Sequence, residues 1–142
     1  MTRYYPYTRH VLKGGHECVL RAFDKDHKGI DITDWNAVQC GQDVEVVAYA
    51  DGVVTEVIKS EQIGYSVSVL HKDGLLTRYW HMRGGSVCVN CGQAVRRGDV
   101  LGVMGDTGSA AGGAVHLHFA VKTGSKSWDS GTYVDPQPYL MG

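Results

Sequence analysis

The stretch Val115-His116-Leu117-His118-Phe119-Ala120-Val121 constrains the fold of this chain more than any other. Apolar and imidazole side chains alternate in it, which is the period-2 pattern of a β-strand. On a strand, His116 and His118 share one side, and Val115, Leu117 and Phe119 the other. The apolar side belongs in a core. The opposite side carries two imidazoles, whose chemistry is metal ligation or proton transfer. A surface strand with two exposed histidines satisfies the same pattern, so the rest of the chain has to decide.

Similar stretches recur upstream. Residues 18–23 read as a strand and Asp24-Lys25-Asp26 as a turn. In His27-Lys28-Gly29-Ile30-Asp31-Ile32 an extended backbone puts His27, Gly29 and Asp31 on one side and Ile30 and Ile32 on the other. Gly29 and the β-branched residues argue against a helix there. Residues 46–50, the turn Asp51-Gly52 and residues 53–58 read as a hairpin. Residues 65–71, the turn Lys72-Asp73-Gly74 and residues 75–82 read as a second. Residues 105–114 are rich in small side chains and read as loop, residues 122–131 as polar loop, and residues 134–140 as an extended tail. With 19 glycines, little room is left for helix. The expected fold is all-β, mostly antiparallel sheets and hairpins with few or no helices. Cys-Gly-Gln-x-Val occurs at residues 40–44 and again at 91–95, which suggests a duplicated small β unit in a barrel-sandwich-like arrangement. Trp35, Tyr49, Tyr65, Tyr79, Trp80 and Trp128 are expected mainly in core or cross-strand packing.

At 142 residues one domain can bury a core without staples. Residues 1–16 read as an N-terminal arm and residues 17–142 as the domain. The net charge of −1 shows no basic excess, so a nucleic-acid partner is not expected, and no stretch is apolar enough for a membrane span. The chain is expected to act as a monomer. The N-terminal residues carry no apolar run of the secretory type, which points to a phage-derived, non-classically released or excised domain. Cys88-x-x-Cys91 is half of a zinc knuckle with no second half. Cys18, Cys40, Cys88 and Cys91 are expected as one or two disulfides or as four ordinary thiols.

Three separate strands thus carry histidine or aspartate on one shared face: His27 with Asp31, His81, and His116 with His118. A catalytic zinc takes three nitrogen or oxygen ligands and leaves a position for water. Two histidines and a carboxylate meet that need, and two further histidines are left for proton transfer or oxyanion stabilisation. Spacing alone leaves open which histidine ligates and which catalyses. His71 is assigned a structural or surface role, and His10 and His16 a surface one.

The series His27-Lys-Gly-Ile-Asp31, Ala50-Asp-Gly-Val-Val54, His71-Lys-Asp-Gly74, Thr77-Arg-Tyr-Trp-His81-Met82, Gly102-Val-Met-Gly-Asp-Thr-Gly108 and His116-Leu-His118-Phe119 resembles the lysostaphin/LytM-type zinc metallopeptidases. The resemblance runs from about residue 25 to residue 140. It implies one zinc ion per chain, with His27, Asp31 and His118 as ligands and His81 and His116 as the catalytic pair. It implies hydrolysis of peptide bonds in the cross-bridges or stems of bacterial peptidoglycan, and action on the bacterial cell wall. A non-catalytic binding or activator module of the same fold is the alternative; such relatives usually lack some of these five residues, and here all five are present. A lipoyl-type carrier would need a lysine at the hairpin tip, where this chain has Ala50-Asp51-Gly52. The chain departs from the family pattern in a longer loop, Ser109 to Val115, in Ala120 where an acidic residue often stands, and in its cysteines.

Overall fold

In the computed structural model the described residues are 7–124 and 131–142, together with the backbone of Arg3–Tyr4. The strands in chain order are β1 (Arg3–Tyr4), β2 (Cys18–Arg21), β3 (Ile30–Thr33), β4 (Glu45–Val47), β5 (Gly52–Ser60), β6 (Gly64–His71), β7 (Leu76–Met82), β8 (Ala94–Val95), β9 (Val100–Val103), β10 (Leu117–Thr123) and β11 (Thr132–Val134). Two short helices, α1 (Trp35–Gln39) and α2 (Gln137–Leu140), and a 3-10 turn (Ser109–Ala111) complete the described elements.

One sheet runs β1-β2-β3-β10-β7-β6-β5-β8, with β11 added beside β10. All its pairings are antiparallel. β4 and β9 form a separate antiparallel pair. The core lies between them. Ile30 and Ile32 of β3, Val67 and Val69 of β6, Tyr79 of β7, and Leu117, Phe119 and Val121 of β10 all point into it, where Val46 of β4 and Leu101 of β9 meet them. Each such side chain contributes about 1.5–3 kcal/mol when it leaves water. That term holds β10 in a register that sends His118, Ala120 and Lys122 to the opposite face.

The all-β expectation holds, and several local readings do not. Asp51-Gly52 is no hairpin turn. β4 pairs with β9 and β5 with β6, so the dipeptide carries the chain from one sheet to the other. The Lys72-Asp73-Gly74 hairpin forms as read, between β6 and β7. The two Cys-Gly-Gln segments enter different surroundings. The first leaves the end of α1, where Gln42 N–H bonds Ala37 O at 2.8 Å. The second is a turn in which Gln93 N–H bonds Asn90 O at 3.0 Å. α1 exists because the Asp34 side chain accepts from Ala37 N–H at 3.1 Å, an N-cap in a segment that the sequence reading left unassigned. Its first residue, Trp35, is 44% exposed and lies outside the core. The C-terminal segment read as an extended tail is β11 followed by α2. The segment read as an arm packs on the domain, with Val11 and Leu12 fully buried. Within it His10 Nδ1 bonds the buried carboxylate of Glu17 at 2.8 Å. Trp128 lies outside the described residues. The four cysteines are free thiols, Cys18 buried and the other three exposed.

Candidate functional site

The face of the large sheet away from the core collects the five residues singled out in the sequence. Register does most of this. His118 pairs with Asp31 across β10 and β3, and with Trp80 across β10 and β7. Asp31, His118 and Trp80 therefore stand in one row over three adjacent strands. The turn before β3 brings in His27: Asp24 and His27 exchange both backbone hydrogen bonds, at 3.1 Å each. His116 sits one residue before β10, in a bridge to Gly105.

His81 reaches this face by a different route. On a regular strand it would share the core side with Tyr79, two residues earlier. Between the pairs Tyr65↔Met82 and Val67↔Tyr79, β7 spends three steps where β6 spends two, so β7 carries a bulge at Trp80 and His81. His81 takes φ 71°, the left-handed region, and is the one residue other than glycine that does so among the described residues. Its ring then lies 5.1 Å from that of His116 and 6.1 Å from that of His118, centre to centre. Such backbone strain, of order 1–3 kcal/mol, persists only where the surroundings enforce it. Here the Thr107 loop does so. Thr107 O accepts from His81 Nδ1 at 2.8 Å, and Ile63 O accepts from His81 N–H at 3.1 Å. Thr107 Oγ1 accepts from Tyr65 N–H at 3.1 Å and donates to Met82 O. Gly64 and Gly108 allow this crossing, since a Cβ on Gly64 would stand 2.2 Å from Thr107 Oγ1.

Backbone carbonyls set the tautomers. Ala22 O, Thr107 O and Ala114 O lie 3.0, 2.8 and 2.8 Å from Nδ1 of His27, His81 and His116. A carbonyl only accepts, so each Nδ1 carries the proton and each neutral ring turns its Nε2 lone pair elsewhere. For His27 that lone pair faces Asp31 Oδ2 at 3.2 Å. His118 Nδ1 meets Asp31 Oδ1 at 2.9 Å, and His116 Nε2 approaches the same oxygen at 3.5 Å. The other nitrogen of His118, Nε2, is buried and has no partner.

Charge follows from these contacts. Burial works to raise the pKa of Asp31, but hydrogen bonds and charge from His116 and His118 outweigh it and hold the carboxyl well below the usual carboxylate range. Burial pushes His81 down to about 4 against the pull of the Thr107 carbonyl. Burial also pulls His118 below its ordinary value despite Asp31. It acts on His116 too, but there Asp31 and Ala114 O prevail and the pKa rises.

One ligand atom each from His27, Asp31 and His118 falls within 4.8 Å of the others, a group that could hold a metal ion. The donor set fits a cation on a physical ground. With Nδ1–H of His27 committed to Ala22 O, a neutral ring sets Nε2 against Asp31 Oδ2 as two facing acceptors at 3.2 Å. That approach is repulsive unless a positive charge lies between them. His81 and His116 stand beside the group with their Nε2 atoms free of backbone partners.

Three further residues shape the site: Thr107 and Gly29 carry no role in the sequence reading, and Trp80 is expected from it only in core or cross-strand packing. Thr107 orients His81, Gly29 makes room for His118, and Trp80 stacks on the His118 ring with centres 4.4 Å apart and planes at 18°. The spacing His-x-Gly-x-Asp, with Gly29 on the ligand face, was the signal for the second. A hollow of about 1190 Å³ opens at the other end of β6 and β7 beside His71, Lys72 and Tyr139. His71 is buried there, bonded to Asp51 O at 2.9 Å and Thr77 Oγ1 at 2.8 Å.

Comparison with known proteins gives a consistent family. The model of peptidase family M23 matches residues 25–136. The chain is 30% identical to stage II sporulation protein Q of Bacillus subtilis over 82% of its own length and 40% of that protein's. It is 31% identical to the DD-carboxypeptidase/endopeptidase Mpg of Neisseria meningitidis over 80% of its length and 24% of that protein's. It thus spans less than half of these curated relatives. Among solved structures, the catalytic domain of the antimicrobial peptidase lysostaphin from Staphylococcus simulans superposes with a TM-score of 0.65 at 27% identity, covering 98% of this chain and 89% of that one. The SpoIIQ–SpoIIIAH pore-forming complex contains a chain similar at TM-score 0.65 and 29% identity, over 80% of this chain and 65% of that one.

Proposed function

The chain belongs to peptidase family M23, and on that premise we propose that it is a zinc-dependent endopeptidase that hydrolyses peptide bonds of bacterial peptidoglycan. The observation that carries the reading is the facing pair of acceptors, His27 Nε2 and Asp31 Oδ2, completed by His118 Nδ1. These three residues would hold the ion. Zinc, when bound, polarises the scissile carbonyl and lowers the pKa of water to about 7.

The remaining chemistry is that of the chain. His81 and His116 are pinned at Nδ1 by the carbonyls of Thr107 and Ala114, so both act through Nε2. A neutral ring takes a proton from the attacking water at Nε2; a protonated ring donates Nε2–H to the oxyanion and then to the departing amine. The pair divides these two tasks. The bulge that turns His81 outward and the Asp31 carboxylate beside His116 keep both rings at the site before substrate arrives. The DD-carboxypeptidase/endopeptidase Mpg and the lysostaphin catalytic domain among the similar proteins support this substrate class, and the site of action is then the cell wall.

A second reading is a binding module that assembles with a protein partner. The likeness to a chain of the SpoIIQ–SpoIIIAH complex favours it; the complete set of five site residues favours the enzyme. Zinc content of the purified protein, with release of peptide fragments from purified peptidoglycan before and after chelation, separates the two. Zinc-loaded protein that releases no fragment sinks the endopeptidase reading.

A further inference from the structure

His118 is held differently from the three other rings at the site. A carbonyl fixes each of those at Nδ1, whereas the nitrogen of His118 that faces away from Asp31 has no hydrogen-bond partner. None can be supplied from the side where Gly29 lies, because the backbone there is so close that a Cβ would stand 2.5 Å from Nε2. What does hold the ring is an aromatic face. Trp80, the cross-strand partner of His118 on β7, stacks on it with centres 4.4 Å apart and planes at 18°. The His27 ring meets His118 edge-on at 4.9 Å. Trp80 is steadied in turn. The Arg78 guanidinium lies 5.1 Å from the indole centre, and Arg78 is itself bonded to Ser68 Oγ at 3.3 Å and to Tyr133 OH at 2.6 Å.

We propose that Trp80 is a positioning residue for the metal site, its indole taking the place of the hydrogen bond that ordinarily orients a ligating histidine. The inference rests on the zinc reading above. An imidazole with no hydrogen bond on its second nitrogen can rotate about χ2, and each departure moves Nδ1 off the line to the ion. Outer partners that prevent such rotation commonly govern metal affinity by about 10–100-fold. A flat, rigid face parallel to the ring prevents it as well, by excluding every other ring plane. Shape and not the indole N–H is what matters, because Trp80 Nε1 is itself buried without a partner.

The test is zinc affinity, measured by competition with a chromophoric chelator, for wild type, Trp80→Phe and Trp80→Leu. Trp80→Phe keeps a face against His118 and is expected within about three-fold of wild type. Trp80→Leu is expected to bind at least about 10-fold more weakly. Thermal melts of the metal-free proteins identify the folded variants; should Trp80→Leu fail to fold, Trp80→Met takes its place as the variant without a flat face, with the same expected loss. Zinc titration followed by tryptophan emission gives a second readout, since the indole abuts a ligand. Wild type is expected to respond, and Trp80→Phe to lose that response while still binding. A Leu variant as tight as wild type, or a Phe variant as weak as Leu, overturns the inference. Wild type that takes up no zinc overturns the metal reading together with this one, so the two failures are told apart.

Discussion

Gly29 and His118 touch so closely that no side chain fits between them: a Cβ on residue 29 would lie 2.5 Å from His118 Nε2 and 2.8 Å from Phe119 O. The glycine of His-x-Gly-x-Asp is thus a matter of space at the neighbouring strand. The backbone at Phe119 cannot retreat, since its side chain is fully buried. The His118 ring must move instead. Gly29→Ala is expected to lower zinc affinity at least about 10-fold, the scale of a displaced ligand support. Competition with a chelator measures it. Wild-type affinity in a folded Ala variant would show that the ring tolerates the shift.

His118 and His116 are neighbours on one face but differ in their contacts. His118 Nδ1 joins the group around Asp31, whereas His116 Nε2 stands farther off at 3.5 Å. His118→Ala is expected to lose both zinc and hydrolysis. His116→Ala is expected to keep zinc and lose about 10²–10⁴-fold in rate, the range for a lost acid–base group. Metal analysis and peptidoglycan digestion on the same preparations check this. Full activity in either variant sinks the division of roles.

Thr107 holds His81 directly through its carbonyl and braces the loop through its hydroxyl. Its hydroxyl joins Tyr65 N–H and Met82 O, and its carbonyl fixes His81 Nδ1. Thr107→Val leaves two backbone groups without that partner and should cost about 1–3 kcal/mol in stability. Zinc binding should persist, because no ligand touches Thr107, while the hydrolysis rate falls with the loosened His81. Urea unfolding, chelator competition and digestion separate the three effects; an unchanged rate would refute the positioning of His81 by this loop.

His71 links stability to pH. Burial holds its pKa below the ordinary 6.5, and the bond to Asp51 O recovers only part of the loss. Below 6.5 the unfolded chain takes up a proton that the folded chain refuses. Folded stability is therefore complete above that value and declines as the pH falls through it, by up to about 1.4 kcal/mol per pH unit for one group. Urea unfolding of metal-free protein at pH 7, 6 and 5 measures the slope. A His71→Asn variant should show a shallower one; an identical slope would remove His71 as its source.

The cysteines give a simple count. Cys40, Cys88 and Cys91 are exposed thiols and Cys18 is buried. Alkylation without reductant should add three groups to the native protein and a fourth on unfolding, read by mass. Fewer than four after unfolding would reveal a disulfide.

The alternation of residues 115–121 by itself determined that β10 is a strand with Leu117, Phe119 and Val121 inward and His118 outward, because side-chain direction on a strand has a period of two. The same rule placed Asp31 opposite Ile30 and Ile32. The order of short motifs also carried the family. Other features belonged to the tertiary structure alone. Asp51-Gly52 reads as a hairpin in any local window, yet β4 found β9 and β5 found β6, since pairing is settled by which apolar faces meet. His81 is the sharpest case. The motif reading put it on the shared face although the period-2 rule sends it to the core side beside Tyr79, and only the bulge between β6 and β7, locked by Thr107, turns it to the site. Trp80 shows the same limit: nothing in Tyr-Trp-His says that the indole lies flat on His118, because that contact is made by a strand some forty residues away.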